Sequence, residues 1–445
     1  LADKAAWLAV LDILESRREL QPLVVVSAVG KVEGRPKVTD LLQALADGGE
    51  GLNTLRGIHQ DLLADLELPL DLLDELFSQL EKAVAERGVD REARQDLIMG
   101  FGERLSSVMM AAALGARGWD SRAVAPEEVG LITDDRHQDA SILEPSLEEL
   151  AKKVIASRNH LVVPGYVGVT RGGQATTLGR GGSDYTAAAF GAALKRDVEI
   201  WTDVNGVAAA NPALFEDMRE AGHPRTIPRL SHEEAYQMAA FGSRVLYQKC
   251  LNAARLAGRK GRHLRMIVKN TFEPDHPGTI IESHASPDGT PRGITALEGV
   301  QLLTVYLDRE DDYHDLFRQV ADLEETHVLM ASYSTGRASF VFDRLTPALE
   351  ELERQFRDAH LSRDQVLIKV VGDGLGHNHS VLGTIHQVVD QLNDPERYGA
   401  PLLHKSPQLL TDSTFEAVAL KRGAELVVRT LYKELFCQGE LNVGL

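Results

Sequence analysis

The chain has 445 residues, enough for two or three domains, and its 43% hydrophobic and 26% charged residues are ordinary for a soluble globular protein. Its formal net charge of −18 argues against nucleic acid or anionic membrane as a bulk partner, because both require basic surface, although a local cationic cluster can still bind an anionic small molecule. The two cysteines, Cys250 and Cys437, indicate a reducing compartment without a disulfide framework or cysteine zinc site, and no apolar run approaches the roughly 20 residues of a membrane span.

The N-terminal two thirds of the sequence follow the pattern of a parallel α/β sheet. Apolar residues at helical spacing over residues 1–20 precede the run 23–26, which predicts a buried strand leading to Ser27 and Gly30. A helical block is predicted over 52–117. Further short strands between helices are predicted at 161–169, 198–204 and 266–268. We therefore expect one α/β domain over residues 1–290, with a linker at 286–293 that is rich in proline and glycine.

The remaining third predicts a weak internal repeat. A strand–helix–strand–strand–helix order occurs once, and a less complete set of the same kind follows it. The predicted strands are 300–307, 327–332, 338–342, 366–371 and 417–420, and the predicted helices are 313–323, 347–356, 380–392 and 424–435. These elements suit two small ferredoxin-like modules, over residues 291–361 and 362–445.

The most informative stretch is T-T-L-G-R-G-G-S-D-Y-T at residues 176–186. Glycine permits close backbone approach and positive φ, and the N–H groups at a helix start favour anions. Arg180 adds a bidentate donor for carboxylate or phosphate, and Asp184 follows within the same turn. The stretch therefore predicts an anion-binding turn between a strand and a helix. A tight structural turn with a surface ion pair is the alternative.

Other candidate residues follow predicted strands or begin predicted helices. Ser27 and Gly30 lie at the carboxyl end of a strand, where open parallel sheets bind ligands. Thr39 either binds a ligand or caps a helix. Glu103 follows two glycines at a helix start, and it is either a ligand-binding carboxylate or part of a surface ion pair or cap. Asp203 ends another strand, where it either contacts a nucleotide or forms an Asx-turn.

Several other nucleotide and metal motifs do not occur in the sequence. No Walker A motif is present, so a P-loop nucleotide site is not expected, and neither HExxH nor GxSxG occurs. His377 and His379 flank Asn378 on a predicted turn. Metal ligation by this pair is the alternative to an ordinary solvated loop.

Taken in chain order, these segments resemble the motifs of the aspartokinase family. The resemblance rests on residues 23–30, 102–106, 176–186, 200–206 and 230–246. The blocks 270–272 and 277–279 are similar to the segment that closes the family's kinase domain, and the C-terminal pair of modules resembles its tandem ACT domains. The match covers nearly the whole chain, and the string at 176–186 is highly specific.

The resemblance implies the amino-acid-kinase fold, a parallel-rich sheet between helix layers, followed by two ACT domains. It also implies phosphorylation of the β-carboxylate of L-aspartate with ATP and Mg²⁺, which opens lysine, threonine and methionine synthesis. Phosphoryl transfer of this kind requires the protein mainly to position two anions in line and to neutralise their repulsion. Feedback by lysine or threonine at the ACT domains, a homodimer, and a cytoplasmic location, or a plastid one after removal of a transit peptide, are further implications.

The resemblance also implies a role for each candidate residue, and it assigns no residue as a metal ligand. Arg180 is expected to clamp a substrate carboxylate and Asp184 to organise the hydrogen bonds of the active site. The aspartate pocket is completed by Thr39, Glu103, which holds the α-ammonium, and Tyr166, where the family often has Phe. The nucleotide and the phosphoryl path are expected to lie beside Ser27, Gly30, Thr202, Asp203 and Arg244.

Two alternatives stay open, one because of departures from the family pattern and one because members of the family occur fused to other enzymes. Ala213 replaces an arginine after Asn211-Pro212, Tyr247 and Gln248 replace a His-Pro pair, and a charged run at 307–314 replaces the small-residue effector loop. A non-catalytic amino-acid-sensing paralogue is therefore one alternative. A fragment of a bifunctional fusion with homoserine dehydrogenase or a decarboxylase is the other.

The N-terminus departs most from the family pattern. Aspartokinases begin with a strand ending in K-F-G-G-[ST]-S, whose lysine stabilises the transferred phosphoryl group, whereas residues 1–3 here align just after that motif. We therefore expect that a short segment with the catalytic lysine has been lost, which lowers the rate by about 10²–10³ or more. Restoring that strand and measuring ATP-dependent aspartyl phosphate tests this expectation, and absence of product would contradict the kinase prediction.

Overall fold

The structure is a computed structural model that describes residues 1–86, 90–216, 223–241, 247–259, 263–283, 287–307, 310–334, 336–356 and 358–437. The elements up to residue 202 are α1 (Lys4–Ser16), β1 (Val24–Val26), α2 (Val38–Ala46), α3 (Leu52–Asp65), α4 (Asp74–Ala85), α5 (Arg91–Met99), α6 (Phe101–Ala116), β2 (Ser121–Ala123), β3 (Ile132–Thr133), α7 (Ser146–Ala156), β4 (His160–Pro164), β5 (Val167–Thr170), β6 (Ala175–Thr177), α8 (Gly182–Leu194) and β7 (Val198–Thr202). The later elements are β8 (Arg229–Ser231), α9 (His232–Ala240), α10 (Gln248–Arg259), β9 (Met266–Asn270), β10 (Thr279–Glu282), β11 (Gly293–Tyr306), α11 (Glu310–Ala321), β12 (Val328–Ser334), β13 (Arg337–Phe342), α12 (Pro347–Gln355), β14 (Ala359–Val371), α13 (His379–Leu392), α14 (Pro395–Tyr398), β15 (Leu403–Leu410), β16 (Thr414–Ala419) and α15 (Ala424–Tyr432).

The chain divides into two compact units. The first unit comprises Leu1–Gly206 and Leu246–Ser283, and the second comprises Val207–Val245 and His284–Leu445. The second unit therefore contains a stretch from within the domain predicted over residues 1–290. The predicted boundaries at residues 290 and 361 stay predictions, because compact units and family domains need not coincide.

Parallel strands form the centre of the first unit. β1 and β2 flank β4 in one parallel sheet, with Val25 opposite Val163 and Arg122 opposite Leu161. β7 pairs in parallel with β9, which pairs antiparallel with β10. Short runs of valine, leucine and isoleucine suit such strands, because parallel strands are covered by helices on both faces. The predicted parallel-rich α/β fold is confirmed.

A third sheet in this unit corrects one predicted strand. The sequence predicted one strand over 161–169, but β4 ends at Pro164 and β5 begins at Val167 in a different sheet. The cause is Tyr166, whose φ of 67° cannot continue an extended strand. β5 then pairs antiparallel with β6, with Gly168 opposite Thr176. This pairing leads the chain into the glycine-rich turn.

The predicted helical block at 52–117 folds as α3 to α6. By length and composition alone, the stretch Arg91–Ala116 could cross a membrane, but 72% of its apolar window is buried inside the protein. Phe101, Leu105 and Met109 of α6 belong to the same core cluster as Val24 and Val26 of β1. The stretch is therefore a core helix pair that holds the start of α6 against the first sheet.

The second unit contains a six-stranded antiparallel sheet in the order β12-β13-β11-β14-β16-β15. β11 and β14 pair along their lengths, from Gly293–Val371 to Val305–Ala359. Each half of the sheet has the strand order of a ferredoxin-like module, and the two halves share these two long strands. This strand order confirms the predicted ferredoxin-like type of the two modules. β15 was not predicted, because Pro407 and polar residues interrupt its apolar pattern.

The two faces of this sheet are covered differently. Leu316 of α11 and Leu349 of α12 pack against Phe340 on one face. On the other face, Phe241, which follows α9, packs with Leu367 and other apolar residues. The side chain of Glu234 on α9 accepts a hydrogen bond from the Asp373 amide at 2.9 Å, so α9 is an integral part of this unit.

Candidate active site

Loops of the first unit enclose a cleft of about 640 Å³. The walls come from the loops after β1 and β6, the start of α2 and the start of α6. Seven of the ten predicted site residues line this cleft, namely Ser27, Gly30, Thr39, Glu103, Tyr166, Arg180 and Asp184. The structure thus brings together residues that are separated by up to 157 positions in the sequence, the distance from Ser27 to Asp184.

The glycine-rich turn has the geometry that its sequence predicted. Gly179 and Gly181 have φ values of 74° and 71°, and α8 begins at Gly182. A Cβ at Gly181 would lie 2.2 Å from the Tyr247 ring, and a Cβ at Gly179 would lie 2.5 Å from Asp139 Oδ1. Neighbouring side chains thus pack directly against the backbone of the turn, and neither position can accept a side chain.

Arg180 lies between these two glycines and is exposed at the cleft wall. Within the described part of the chain it makes no ion pair and donates no hydrogen bond, so its guanidinium donors are available to a ligand. A planar group with free donors beside a cleft can bind a carboxylate bidentately.

Glu103 is a buried carboxyl in the first turn of α6, only 6% exposed. The Ala28 amide donates a hydrogen bond of 3.1 Å to its Oε1. Gly102 makes this approach possible, because a Cβ there would lie 2.8 Å from Ala28 Cβ. Burial raises the pKa of Glu103 from 4.5 to about 8. The alternative of a surface ion pair is therefore wrong.

Asp184 lies in the first turn of α8 and also lines the cleft. Loss of solvent raises the pKa of this carboxyl from 3.8 to about 6. Two carboxyls with raised pKa values in one cleft are typical of a functional site, since burying such groups costs stability unless a ligand or reaction requires them.

Tyr166 and Thr39 complete the described wall. Tyr166 contacts the start of α8 so closely that a Cβ at Gly182 would lie 2.8 Å from its ring. Thr39 is exposed in the first turn of α2, and the residue that caps this helix is Lys37. The alternative of Thr39 as the N-cap is therefore wrong.

Ser27 is exposed after β1, and the Gly30 amide donates to the Leu1 carbonyl at 3.3 Å.

Two of the predicted nucleotide residues, Thr202 and Asp203, do not line this cleft. Thr202 ends β7, and its hydroxyl donates to the carboxylate of Asp203 at 3.1 Å. Arg244 lies outside the described residues. The roles assigned to these three residues stay predictions.

The cleft also contains residues that the sequence analysis missed, namely Lys31, Lys37, Met99, Gln138 and Ser183. The two lysines flank a Gly-Arg-Pro loop between Gly30 and Thr39, so local charge could have indicated them. Gln138 comes from a loop remote in sequence, and no local pattern identifies it.

The histidine pair in the second unit gives no support for a metal site. His377 Nε2 lies 2.9 Å from Asp412 Oδ1, and both side chains are exposed. Among the described residues, no group of three or more histidine, cysteine, aspartate or glutamate side chains could hold a metal ion.

Residues 1–268 match the sequence profile of the amino acid kinase family. The chain belongs to this family. Its homologues are aspartokinases: it is 32% identical over 287 residues to aspartokinase 1, chloroplastic, of Arabidopsis thaliana, covering 61% of this chain and 48% of that protein. It is 30% identical over 310 residues to aspartokinase 1 of Bacillus subtilis, covering 68% and 64%.

The structure is similar to that of E. coli aspartokinase III in complex with aspartate and ADP. The TM-score is 0.76 at 25% sequence identity, and the alignment covers 98% of this chain and 97% of that one. Against the curated relatives, by contrast, the chain spans about half to two thirds of their length, 48% and 64% for the two named above.

The raised pKa of Glu103 predicts a pH-dependent stability. Folded protein holds a proton that the unfolded chain releases near pH 4.5. Between that pH and about 8, the contribution of Glu103 to the free energy of unfolding therefore falls as pH rises, by about 1.4 kcal/mol per pH unit. Urea denaturation between pH 5.5 and 7.5 should show this slope in the wild type and not in Glu103→Gln.

Glu92→Gln is the matched control for this measurement, because Glu92 is an exposed carboxylate near the start of α5. It should keep the wild-type slope. Equal slopes for the wild type and Glu103→Gln would contradict the raised pKa.

Proposed function

We propose that this chain is an aspartokinase, which transfers the γ-phosphoryl group of ATP to the β-carboxylate of L-aspartate. A carboxylate oxygen forms the new bond to phosphorus, the bond to the β-phosphate oxygen breaks, and ADP and 4-phospho-L-aspartate leave. The observation that carries the proposal is that Arg180 and Glu103 line the same cleft. These two groups complement the α-carboxylate and α-ammonium of a free amino acid, which are the features that such a substrate offers for recognition.

Each wall residue then has a role consistent with its position. Arg180 clamps the α-carboxylate, and Glu103 accepts hydrogen bonds from the α-ammonium once it has lost its proton. Tyr166 closes the side of the pocket, and Thr39 donates a hydrogen bond from the start of α2. Asp184 orients the donors around the reacting carboxylate. The transferred group lies beside Ser27 and Gly30, at the carboxyl end of β1.

The nucleotide is proposed to lie beside Thr202 and Asp203, at the carboxyl end of β7, with Arg244 near its phosphates. ATP use is supported by the relationship to E. coli aspartokinase III, whose structure contains ADP. Mg²⁺ fits this arrangement, because it usually keeps most of its ligands from water and phosphate and requires one or two carboxylates. Asp184, whose burial raises its pKa, is a carboxylate of that kind. When bound, Mg²⁺ neutralises phosphate charge.

The two ferredoxin-like modules support a regulatory role for the second unit. We propose that they bind an end-product amino acid, lysine or threonine, and that they form the contact of a homodimer. The bacterial and chloroplastic relatives support a cytoplasmic or plastid location. Residues 307–314, where the charged run replaces the usual loop, are described only in part, and the effector site in this module stays a prediction.

Titration calorimetry with L-aspartate tests the proposed substrate without requiring turnover. The wild type should bind L-aspartate and discriminate against succinate, which lacks the ammonium group. Arg180→Lys should weaken binding by about tenfold or more, because a lysine cannot make the planar bidentate contact. Arg171→Ala is the matched control, because Arg171 is exposed outside the cleft and should not change the affinity. Absence of L-aspartate binding to the wild type would contradict the proposal.

The proposed regulation is tested by binding of radiolabelled lysine and threonine to the full chain. One of the two should bind in the absence of L-aspartate. Binding of neither would contradict the regulatory role. Binding of an effector without any binding of L-aspartate would instead favour the amino-acid-sensing paralogue.

A further inference from the structure

A second buried carboxylate, that of Asp96, lies behind the cleft wall. Asp96 is on α5, and its side chain is 0% exposed. It accepts hydrogen bonds from three groups: Thr177 Oγ1 at 2.6 Å, His137 Nδ1 at 2.8 Å, and the backbone amide of Gln138, which lies 3.0 Å from one carboxyl oxygen and 3.2 Å from the other. Every partner is a donor when His137 carries its proton on Nδ1. Both carboxyl oxygens of Asp96 are therefore hydrogen-bonded by the protein itself.

These bonds fix one end of a loop, residues 137–140, that supports the glycine-rich turn. Lys249 fixes the other end, because its Nζ donates to the carbonyl of Asp139 and to that of Leu178, both at 2.9 Å. The Ala140 amide donates to the Thr177 carbonyl, also at 2.9 Å. The loop thus lies against Thr177 and Leu178, the residues just before Gly179 and Arg180. A shift of this loop would therefore also displace the backbone just before Arg180.

The segment that Asp96 holds also contacts Tyr166. The Thr177 hydroxyl donates to Asp96 at 2.6 Å, and the backbone amide of the next residue, Leu178, donates to the Tyr166 carbonyl at 2.8 Å. Asp96 is therefore linked through Thr177 and Leu178 to the backbone of Tyr166, a residue that lines the cleft.

We propose that Asp96 is a positioning residue for substrate binding, which holds Tyr166, Gln138 and the turn carrying Arg180 in their binding arrangement. The inference rests on the proposed function for the identity of the ligand, L-aspartate. Asp96 does not touch the ligand. Removing its carboxylate leaves the buried Thr177 hydroxyl and the part-buried donors of His137 and Gln138 without their acceptor, so the loop and the Thr177 hydroxyl must rearrange to find new partners.

Three variants separate positioning from a purely structural role. Asp96→Ala removes the acceptor. Asp96→Asn keeps one oxygen for Thr177 and Gln138, and its amide can donate to His137 if that ring moves its proton to Nε2. Thr133→Val is the matched control, because it removes a buried hydrogen bond of 2.7 Å to Thr176, one residue from Thr177, without touching loop 137–140.

The measurements are the dissociation constants for L-aspartate and for ADP and hydrogen–deuterium exchange of residues 137–140 in the free protein. We expect Asp96→Ala to weaken L-aspartate binding by about tenfold or more, to leave ADP binding within about twofold, and to speed exchange in the loop. Asp96→Asn should restore L-aspartate binding to within about threefold of the wild type. Thr133→Val should change neither affinity nor exchange in the loop.

The proposal is overturned if folded Asp96→Ala binds L-aspartate as tightly as the wild type does. It is also overturned if Asp96→Ala and Thr133→Val each weaken the binding of L-aspartate and of ADP to the same extent. Should Asp96→Ala not fold, Thr177→Val takes its place, since it removes the Thr177 bond to Asp96 and leaves the bonds from His137 and Gln138. It must also weaken L-aspartate binding selectively. A wild type that does not bind L-aspartate contradicts the proposed function, while the exchange measurement still decides whether Asp96 holds the loop.

Discussion

The first turn of α6 approaches the loop after β1 so closely that Gly102 and Ala28 are in contact, and the cleft depends on this approach. It places the Glu103 carboxyl beside the Ala28 amide and away from water. A charged carboxylate in that position would be poorly solvated, so the carboxyl keeps its proton until a cation takes its place. The helix pair α5 and α6 is held there by the core it shares with β1.

The opposite wall depends on a second constraint, the closely fitted turn before α8. Glycines at 179 and 181 let Asp139 and Tyr247 press against the backbone. Lys249 and Asp96 hold the supporting loop from its two ends. A flexible arginine side chain is thus carried on a backbone with little freedom. Preorganisation of this kind lowers the entropy lost when a ligand orders the site.

Much of this arrangement could be predicted from sequence, because its signals are local. The string at 176–186 indicated both the turn and the helix after it, and the apolar run at 23–26 indicated β1. The break at Tyr166 could not be predicted, since a positive φ at tyrosine is imposed by neighbours that come from α8 and β6. The burial of Glu103 was equally hidden, because local pattern cannot distinguish a helix start at the surface from one that faces a core. The shared strands β11 and β14 follow from pairing between residues about 70 positions apart, which periodicity does not report.

Under the proposed function, Glu103 is a protonated carboxyl that loses its proton when it receives the ammonium group of L-aspartate. Calorimetric titration with L-aspartate at pH 7, in buffers of different ionisation enthalpy, measures the protons released on binding. With a pKa of about 8 for Glu103, we expect release of about one proton per bound ligand at pH 7 and no such release in Glu103→Gln. Binding of L-aspartate with no dependence on the buffer would contradict it.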